Sequence, residues 1–391
     1  MKSIHLMGIL GSGMSGIASL ASQMGYQVSG CDLKLEGHNS EHLKDIDLLV
    51  VSPAILYQEK EDPELILGKN KNIVTTWQEF LGKYLMKDKK VIAIAGTHGK
   101  STTTAMVAKI LIDNGFDPSV VIGAYVFEWK GNSRYGKDKY FIVEADEFND
   151  NFLNYYPNIA VINNIEFDHP DYFKDEKQVF ESFEKFKKNL VGEKILITEK
   201  DSLNKRFNLK VFGEHNQKNA NMAYLVGRQL KIKKEEIIKS LENFTGIGRR
   251  MELIGKVGKT LVFDDYAHHP TAIRATLAGV RQRFSNRIWA IIEAHGFNRT
   301  NALLKLYKGV FSNADKVIVG PIYKARDKNT FEMTPEKIAI ASGHKDIKAC
   351  NTIEEIINTL KNEVKQKDII VVMGAGNSNL WAKQILKALK N

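Results

Sequence analysis

The sequence predicts an α/β protein of three domains with largely parallel sheets, and three observations carry that prediction. Short β-branched runs alternate with helical patterns along the whole chain, as strand–helix–strand units require. Two glycine-rich loops each follow an apolar run and open a helical stretch. Polar or glycine-punctuated connectors at 86–90 and 243–250 interrupt the alternation before strands restart, which puts the domains at 1–88, 89–245 and 246–391.

Strands are predicted at 4–7, 27–30, 48–52, 91–95, 140–144, 159–163, 194–198, 261–264, 287–292, 316–319 and 368–373. At 391 residues, 43% hydrophobic and 26% charged, the composition is ordinary for a globular protein, and the chain is too long for one typical core. No apolar run reaches the roughly 20 residues of a membrane helix, so the chain reads as soluble. Its start enters a strand with no charged leader, which makes the cytoplasm the expected compartment. Cys31 and Cys350 are the only cysteines; they suit a reducing compartment and cannot make a disulfide framework.

The formal charge of +10 would suit anionic partners. The lysines at 87–90, 231–234 and 361–367, however, are scattered, lie among or beside acids and lack interleaved aromatics. They read as solvated faces, and no nucleic-acid partner, membrane or obligate protein partner is expected. The chain shows no internal repeat and no low-complexity segment.

After the first strand comes Gly8-x-x-Gly11-x-Gly13-Met14-x-Gly16, then a helical stretch, a second strand and Asp32. Glycines let backbone approach a pyrophosphate at a helix N-terminus, and an acid about 20 residues on suits a ribose hydroxyl. Alone, this is a nucleoside-diphosphate site of open identity. NAD is a rival, but the domain has too few strands for a two-halved dinucleotide fold, and a packing turn is the plainer alternative.

The second loop, Gly96-Thr97-His98-Gly99-Lys100-Ser101-Thr102, runs from a strand into a helix. Backbone N–H groups of Gly96, Thr97, Gly99 and Thr102 can wrap phosphates, Lys100 can neutralise them, and Ser101 can ligate magnesium. Ile94 stands where the usual spacing has glycine, so the loop is a shortened P-loop. Glu144 and His169 follow strand ends and are candidate metal ligands. Asp146, Glu147 and Asp171 read as a solvated acidic loop. Asp264, Asp265, His268 and His269 leave a zinc reading open.

With these motifs in place, the chain resembles the Mur ligase family. Further matches are Gly37-His38, Ser52-Pro53-Ala54, Asn163 to His169, His215-Asn216-x-x-Asn219, Gly248-Arg249-Arg250, Asp264 to Thr271 and Met373-Gly374-Ala375-Gly376. The resemblance implies a Rossmann-like UDP-binding domain, a central P-loop ATPase and a Rossmann-like C-terminal domain that swings closed. It assigns Gly11, Gly13, Met14, Asp32, Ser52 and Ala54 to the UDP-sugar. It assigns Gly96, Thr97, Gly99, Lys100, Ser101, Thr102, Asn216, Asn219, Arg250 and Asp265 to ATP, and Ser101, Glu144 and His169 to magnesium. Lys100, Glu144, His169, Arg250 and His268 would be catalytic, and His295 and Arg299 would meet substrate.

The implied activity is ATP-dependent addition of L-alanine to UDP-N-acetylmuramate through an acyl phosphate, in peptidoglycan and cell-wall synthesis. The alternative is attachment of a preformed tripeptide to the same acceptor. The chain departs from the family pattern at Leu10, at Gly296, where arginine is usual, and in a short segment between His169 and Asn216.

Overall fold

Runs of valine, isoleucine and leucine become strands because branched side chains pack well on a pleated surface, and where both faces are covered the run is continuously apolar. Ile288–Glu293 and Ile369–Gly374 are buried at every position and occupy the middle of a sheet. The computed structural model describes residues 2–325 and 327–390.

Every predicted strand is present, within a residue or two of its predicted bounds. Val74–Thr76, Ser119–Val126, Gly131–Arg134, Glu252–Val257 and Ile347–Ala349 are additional strands. Most of these lie at sheet edges and are short or, like Gly131–Arg134, carry no apolar residue. Ser119–Val126 has a β-branched run, broken by Gly123.

The chain forms two compact units. The first comprises Met1–Ile165, Phe180–Leu203 and Ala220–Leu241 and holds two sheets. One is all parallel, in the order Gln27–Cys31, Ser3–Met7, Leu48–Val51, Val74–Thr76. The other runs Ile195–Thr198, Ile159–Ile162, Lys90–Ala95, Tyr140–Glu144, Ser119–Val126, Gly131–Arg134, and only its last strand is antiparallel. The helix Lys100–Asp113 is buried at every position from Ser101 to Ala108, so it is sheathed on all sides.

The second unit comprises Glu166–Val179, Asn204–Asn219 and Glu242–Asn391. Its sheet runs Glu252–Val257, Thr260–Asp265, Ile369–Gly374, Ile288–Glu293, Lys316–Val319, Ile347–Ala349, with only the first strand antiparallel. Alternate residues feed separate cores: Ile288, Ala290 and Ile292 pack on one face, Trp289 and Ile291 on the other. These three sheets make the expected three-domain α/β architecture. Among the described residues no helix is long and apolar enough to cross a membrane.

In parallel sheets the loops at the carboxyl ends of neighbouring strands share one rim, where ligands bind. The first glycine loop follows Ser3–Met7, the second follows Lys90–Ala95, and residues 145–147 follow the adjacent Tyr140–Glu144. Phe152 anchors the segment beyond: fully buried, it stacks on Phe186 at 4.6 Å and meets Phe183 edge-on at 5.2 Å. Phe152→Ala should lower unfolding stability by about 3–5 kcal/mol. Denaturant unfolding checks this, and a loss under about 1 kcal/mol would mean the aromatic trio is not an anchor.

Candidate functional site

In the first unit, the loop after Ser3–Met7 turns because Gly8 takes φ +86° and its N–H, with that of Ile9, donates to the Cys31 carbonyl at 2.8 and 3.0 Å. The helix Ser12–Gln23 begins at Gly11 with no side-chain cap, which leaves its first N–H groups to another acceptor. A Cβ at Gly13 would stand 3.6 Å from the Trp77 ring, and Met14 is buried beneath the loop. Asp32 reaches over it, accepting from Leu10 N at 3.3 Å and from Lys34 N at 3.1 Å. Ser52 follows the adjacent strand and donates its N–H to the Met7 carbonyl at 3.3 Å; the side chain of Ala54 lies outside those described. Gly11, Gly13, Met14, Asp32 and Ser52 therefore gather on one rim.

The second loop folds back on itself. Gly96 has φ +130° and Gly99 φ +79°, conformations that L side chains avoid. A Cβ on Gly96 would stand 3.0 Å from the Asn164 carbonyl. Asn164 clamps the loop, its carbonyl accepting Thr97 N at 3.1 Å and its Oδ1 accepting His98 N at 2.8 Å. Asn163 donates to Thr103 Oγ1 at 3.0 Å. Again the helix, Lys100–Asp113, starts without a side-chain cap.

Lys100 Nζ donates to the Gly96 carbonyl at 2.8 Å and to Glu147 Oε2 at 2.7 Å, with Asp146 Oδ1 at 3.8 Å. Burial opposes the ammonium, but Glu147, Asp146 and Glu144 outweigh it and push its pKa above the ordinary lysine value. The sequence expectation of a solvated acidic loop is corrected at Glu147, which is 2% exposed and forms the buried counter-charge of Lys100. Ser101 Oγ donates to Glu144 Oε1 at 2.9 Å, and Gly123 N donates to Glu144 Oε2 at 2.6 Å. A hydroxyl and a carboxylate side by side are hard oxygen donors of the type magnesium takes, so this pair fits the ion.

In the second unit, Arg249 and Met251 adopt φ of +57° and +49°, which is strained backbone of the kind found at functional loops. Arg249 locks the turn by donating to Asp264 Oδ2 at 3.2 Å and to Gly374 O and Ser378 Oγ at 2.9 Å each. Arg250 is left over the Tyr266 ring at 5.0 Å. Asp265 accepts from Met251 N and Ala267 N, both at 2.8 Å. Asn216 donates to Phe212 O at 2.8 Å, and Asn219 donates to Asn216 at 3.3 Å.

A second cluster joins His268, His295, Arg299 and Asp168. The rings of His268 and His295 lie 5.8 Å apart, and His295 stacks on Tyr323 at 5.1 Å. Arg299 donates to Asp168 Oδ2 at 2.5 Å. Burial opposes the Asp168 carboxylate, but Arg299 and nearby histidines, including His169, hold its pKa far below the usual range. Burial, then Arg299, lowers His268 well below its ordinary value and His295 to about 4, so both are neutral at pH 7.

The zinc alternative fails on geometry: among the described residues the ligand atoms of Asp264, Asp265, His268 and His269 do not come together as a group that could hold an ion, and Asp264 is engaged by Arg249 and Asp265 by backbone N–H groups. Gly296 has a physical reason. It adopts φ +79°, ψ 131°, a region essentially closed to residues with a Cβ. Sequence reasoning did not assign Gly123, Glu147, Arg249 or Glu293. Glu293 is 1% exposed and accepts from Asn377 N and Ser378 N at 2.9 and 3.0 Å. Glu147, Arg249 and Glu293 stand in or beside the motifs, whereas Gly123 has no signal in the sequence.

The neutral histidines fix a sign. Below pH about 6.5 the unfolded chain takes up a proton that folded His295 refuses until about 4, so stability falls as pH drops through that window. His295→Gln should lose less stability than the parent between pH 7 and 5 in urea unfolding. An equal loss would show that His295 is not held neutral.

Three family profiles match the chain: Mur ligase family, catalytic domain, at 3–86; Mur ligase middle domain at 94–207; and Mur ligase, glutamate ligase domain, at 249–376. A UDP-N-acetylmuramate–L-alanine ligase of Clostridium tetani is 35% identical over 442 residues, covering 96% of each chain. That alignment is longer than the 391-residue chain, so the relative holds segments absent here. Among solved structures, the UDP-N-acetylmuramate-alanine ligase MurC of Thermotoga maritima aligns with TM-score 0.80, 23% identity and 99% of each chain covered. The murein peptide ligase of Psychrobacter arcticus aligns with TM-score 0.68, 26% identity and coverage of 100% of this chain and 99% of its own. The chain belongs to the Mur ligase family.

Proposed function

We propose that this chain is a cytoplasmic ATP-dependent ligase that joins L-alanine to the lactyl carboxylate of UDP-N-acetylmuramate in peptidoglycan synthesis. The observation that carries the reading is the phosphate grip: Lys100 held by Glu147, beside the Ser101–Glu144 pair, at an uncapped helix start. The full-length similarity to alanine-adding relatives supplies the substrates. In this reading residues 1–88 hold the UDP-sugar, 89–245 the ATP and 246–391 the remaining ligase machinery.

Phosphoryl transfer asks chiefly for positioning and charge neutralisation. Lys100 and the N–H groups of Gly96, Thr97, Gly99 and Thr102 bind the ATP phosphates. Ser101 and Glu144 would hold magnesium, whose charge further offsets that of the phosphates; His169 joins them on the sequence pattern alone. The adenosine is assigned to Asn216, Asn219 and Asp265, and a phosphate oxygen to Arg250. The carboxylate oxygen attacks the γ-phosphorus, and ADP leaves with the electrons of the broken P–O bond. The amine nitrogen then attacks the acyl carbon and phosphate departs. The proton the amine loses passes to solvent; His268 and His295, both neutral and too weakly basic to keep it, can accept a hydrogen bond from the amine, while Arg299 can pair with the carboxylate of the amino acid. Gly296 carries no side-chain charge at this point. That favours testing a larger amine, the preformed tripeptide, as the second reading.

Lys100→Ala should reduce ATP-dependent phosphate release at least about a hundredfold while leaving UDP-sugar affinity, read by calorimetry, nearly unchanged. Equal loss of both would contradict the division of labour. In the parent, release with L-alanine supports the primary reading and release only with tripeptide replaces it. No release with any amine would refute the ligase.

A further inference from the structure

Beneath the first glycine loop the first unit gathers four side chains that the proposed ligation does not use: His5, Cys31 and Glu64, which are buried, and His42, which is partly exposed. Their ligand atoms all lie within 4.8 Å of one another. Glu64 is fully buried and both its oxygens face the cluster. Oε1 is 3.1 Å from His5 Nε2, while Oε2 is 3.2 Å from His42 Nδ1 and 3.5 Å from Cys31 Sγ. The two imidazoles stack with centroids 5.0 Å apart.

We propose that His5, Cys31, His42 and Glu64 form a structural site for a borderline-soft divalent cation, zinc above all. The spacing carries the argument. Bonds of about 2.0–2.1 Å to nitrogen or oxygen and about 2.3 Å to sulfur set the edges of a tetrahedral zinc site near 3.3 Å for N···O and 3.5 Å for S···O. The contacts to Glu64 fall close to those edges but on two different oxygens, and the remaining ligand atoms lie within 4.8 Å of one another, so the cation requires the carboxylate to turn and the other three side chains to draw in. Charge agrees as well: one thiolate, one carboxylate and two neutral imidazoles sum to minus two, which a divalent ion cancels in a buried place. On binding, the Cys31 thiol gives its proton to solvent.

Donor chemistry selects the metal. Thiolate and imidazole disfavour magnesium and calcium, which take oxygen, and suit zinc. The support expected around such a site is present. His5 Nδ1 lies 2.8 Å from Ser29 Oγ, which fixes the ring, and Asn39 N donates to Glu64 Oε2 at 2.8 Å. The Cys31 carbonyl also receives the Gly8 and Ile9 N–H groups, so a filled site would tie the strand end directly to the glycine loop above it.

Cobalt(II) is the probe, titrated into the full chain after chelator dialysis. One equivalent should bind with a thiolate-to-cobalt charge-transfer band, and zinc should displace it and raise the unfolding temperature. Cys31→Ser should remove the band, whereas Cys350→Ser, at the only other cysteine, should keep it. His42→Ala, at a partly exposed position, should weaken binding at least about tenfold and serves if Cys31→Ser does not fold. Absence of the band at one equivalent, or its survival in Cys31→Ser, overturns the proposal and leaves a hydrogen-bonded network around Glu64.

Discussion

A lysine ammonium with little access to water is tenable only where opposite charge and carbonyl oxygens surround it. Lys100 meets that condition through Glu147 and the Gly96 carbonyl, and much of the first unit follows from the requirement. The loop must double back to present its carbonyl, so Gly96 and Gly99 take backbone angles open to glycine. Asn163 and Asn164 hold the doubled loop from the neighbouring strand end. Glu144 comes from the other neighbour and meets Ser101 and the Gly123 N–H. Parallel pairing of Lys90–Ala95 with both Tyr140–Glu144 and Ile159–Ile162 brings these three chain segments to one rim.

The second unit is built on a different electrostatic device. Arg299 and Asp168 neutralise each other at 2.5 Å, and the residual positive field of the guanidinium joins burial in keeping His268 and His295 uncharged. An imidazole held uncharged in this way is a weak base, so it can accept a hydrogen bond but does not keep a proton at neutral pH. The strained turn through Arg249 and Met251 leaves the Arg250 guanidinium over the Tyr266 ring. Its cost is supported by the Arg249 bonds to Asp264, Gly374 and Ser378.

The α/β class and the two loops were legible because they rest on local patterns, β-branched runs and glycine spacing. Lys100, Ser101 and Glu144 could be named from sequence because each sits at a fixed offset from a strand end. Glu147 was misread as solvated: nothing in Glu144-Ala145-Asp146-Glu147 distinguishes the acid that turns inward, and only the Lys100 partner decides it. Gly123 lies in a strand that was not predicted, and a Cβ there would stand 3.1 Å from Glu144 Oε2. The cluster of His5, Cys31, His42 and Glu64 was invisible for a related reason. Its members come from two strands, a short helical turn and a helix, and sheet pairing, which no spacing rule encodes, assembles them. Gly296 stood out as a departure, and its positive φ supplies the cause.

The central claim is that this fold activates a carboxylate as an acyl phosphate before the amine arrives. Oxygen transfer tests it most directly. With the lactyl carboxylate of UDP-N-acetylmuramate labelled with oxygen-18, turnover with L-alanine and ATP should release phosphate carrying one labelled oxygen, read by mass spectrometry. Phosphate released without label, while the amide product forms, would contradict the account.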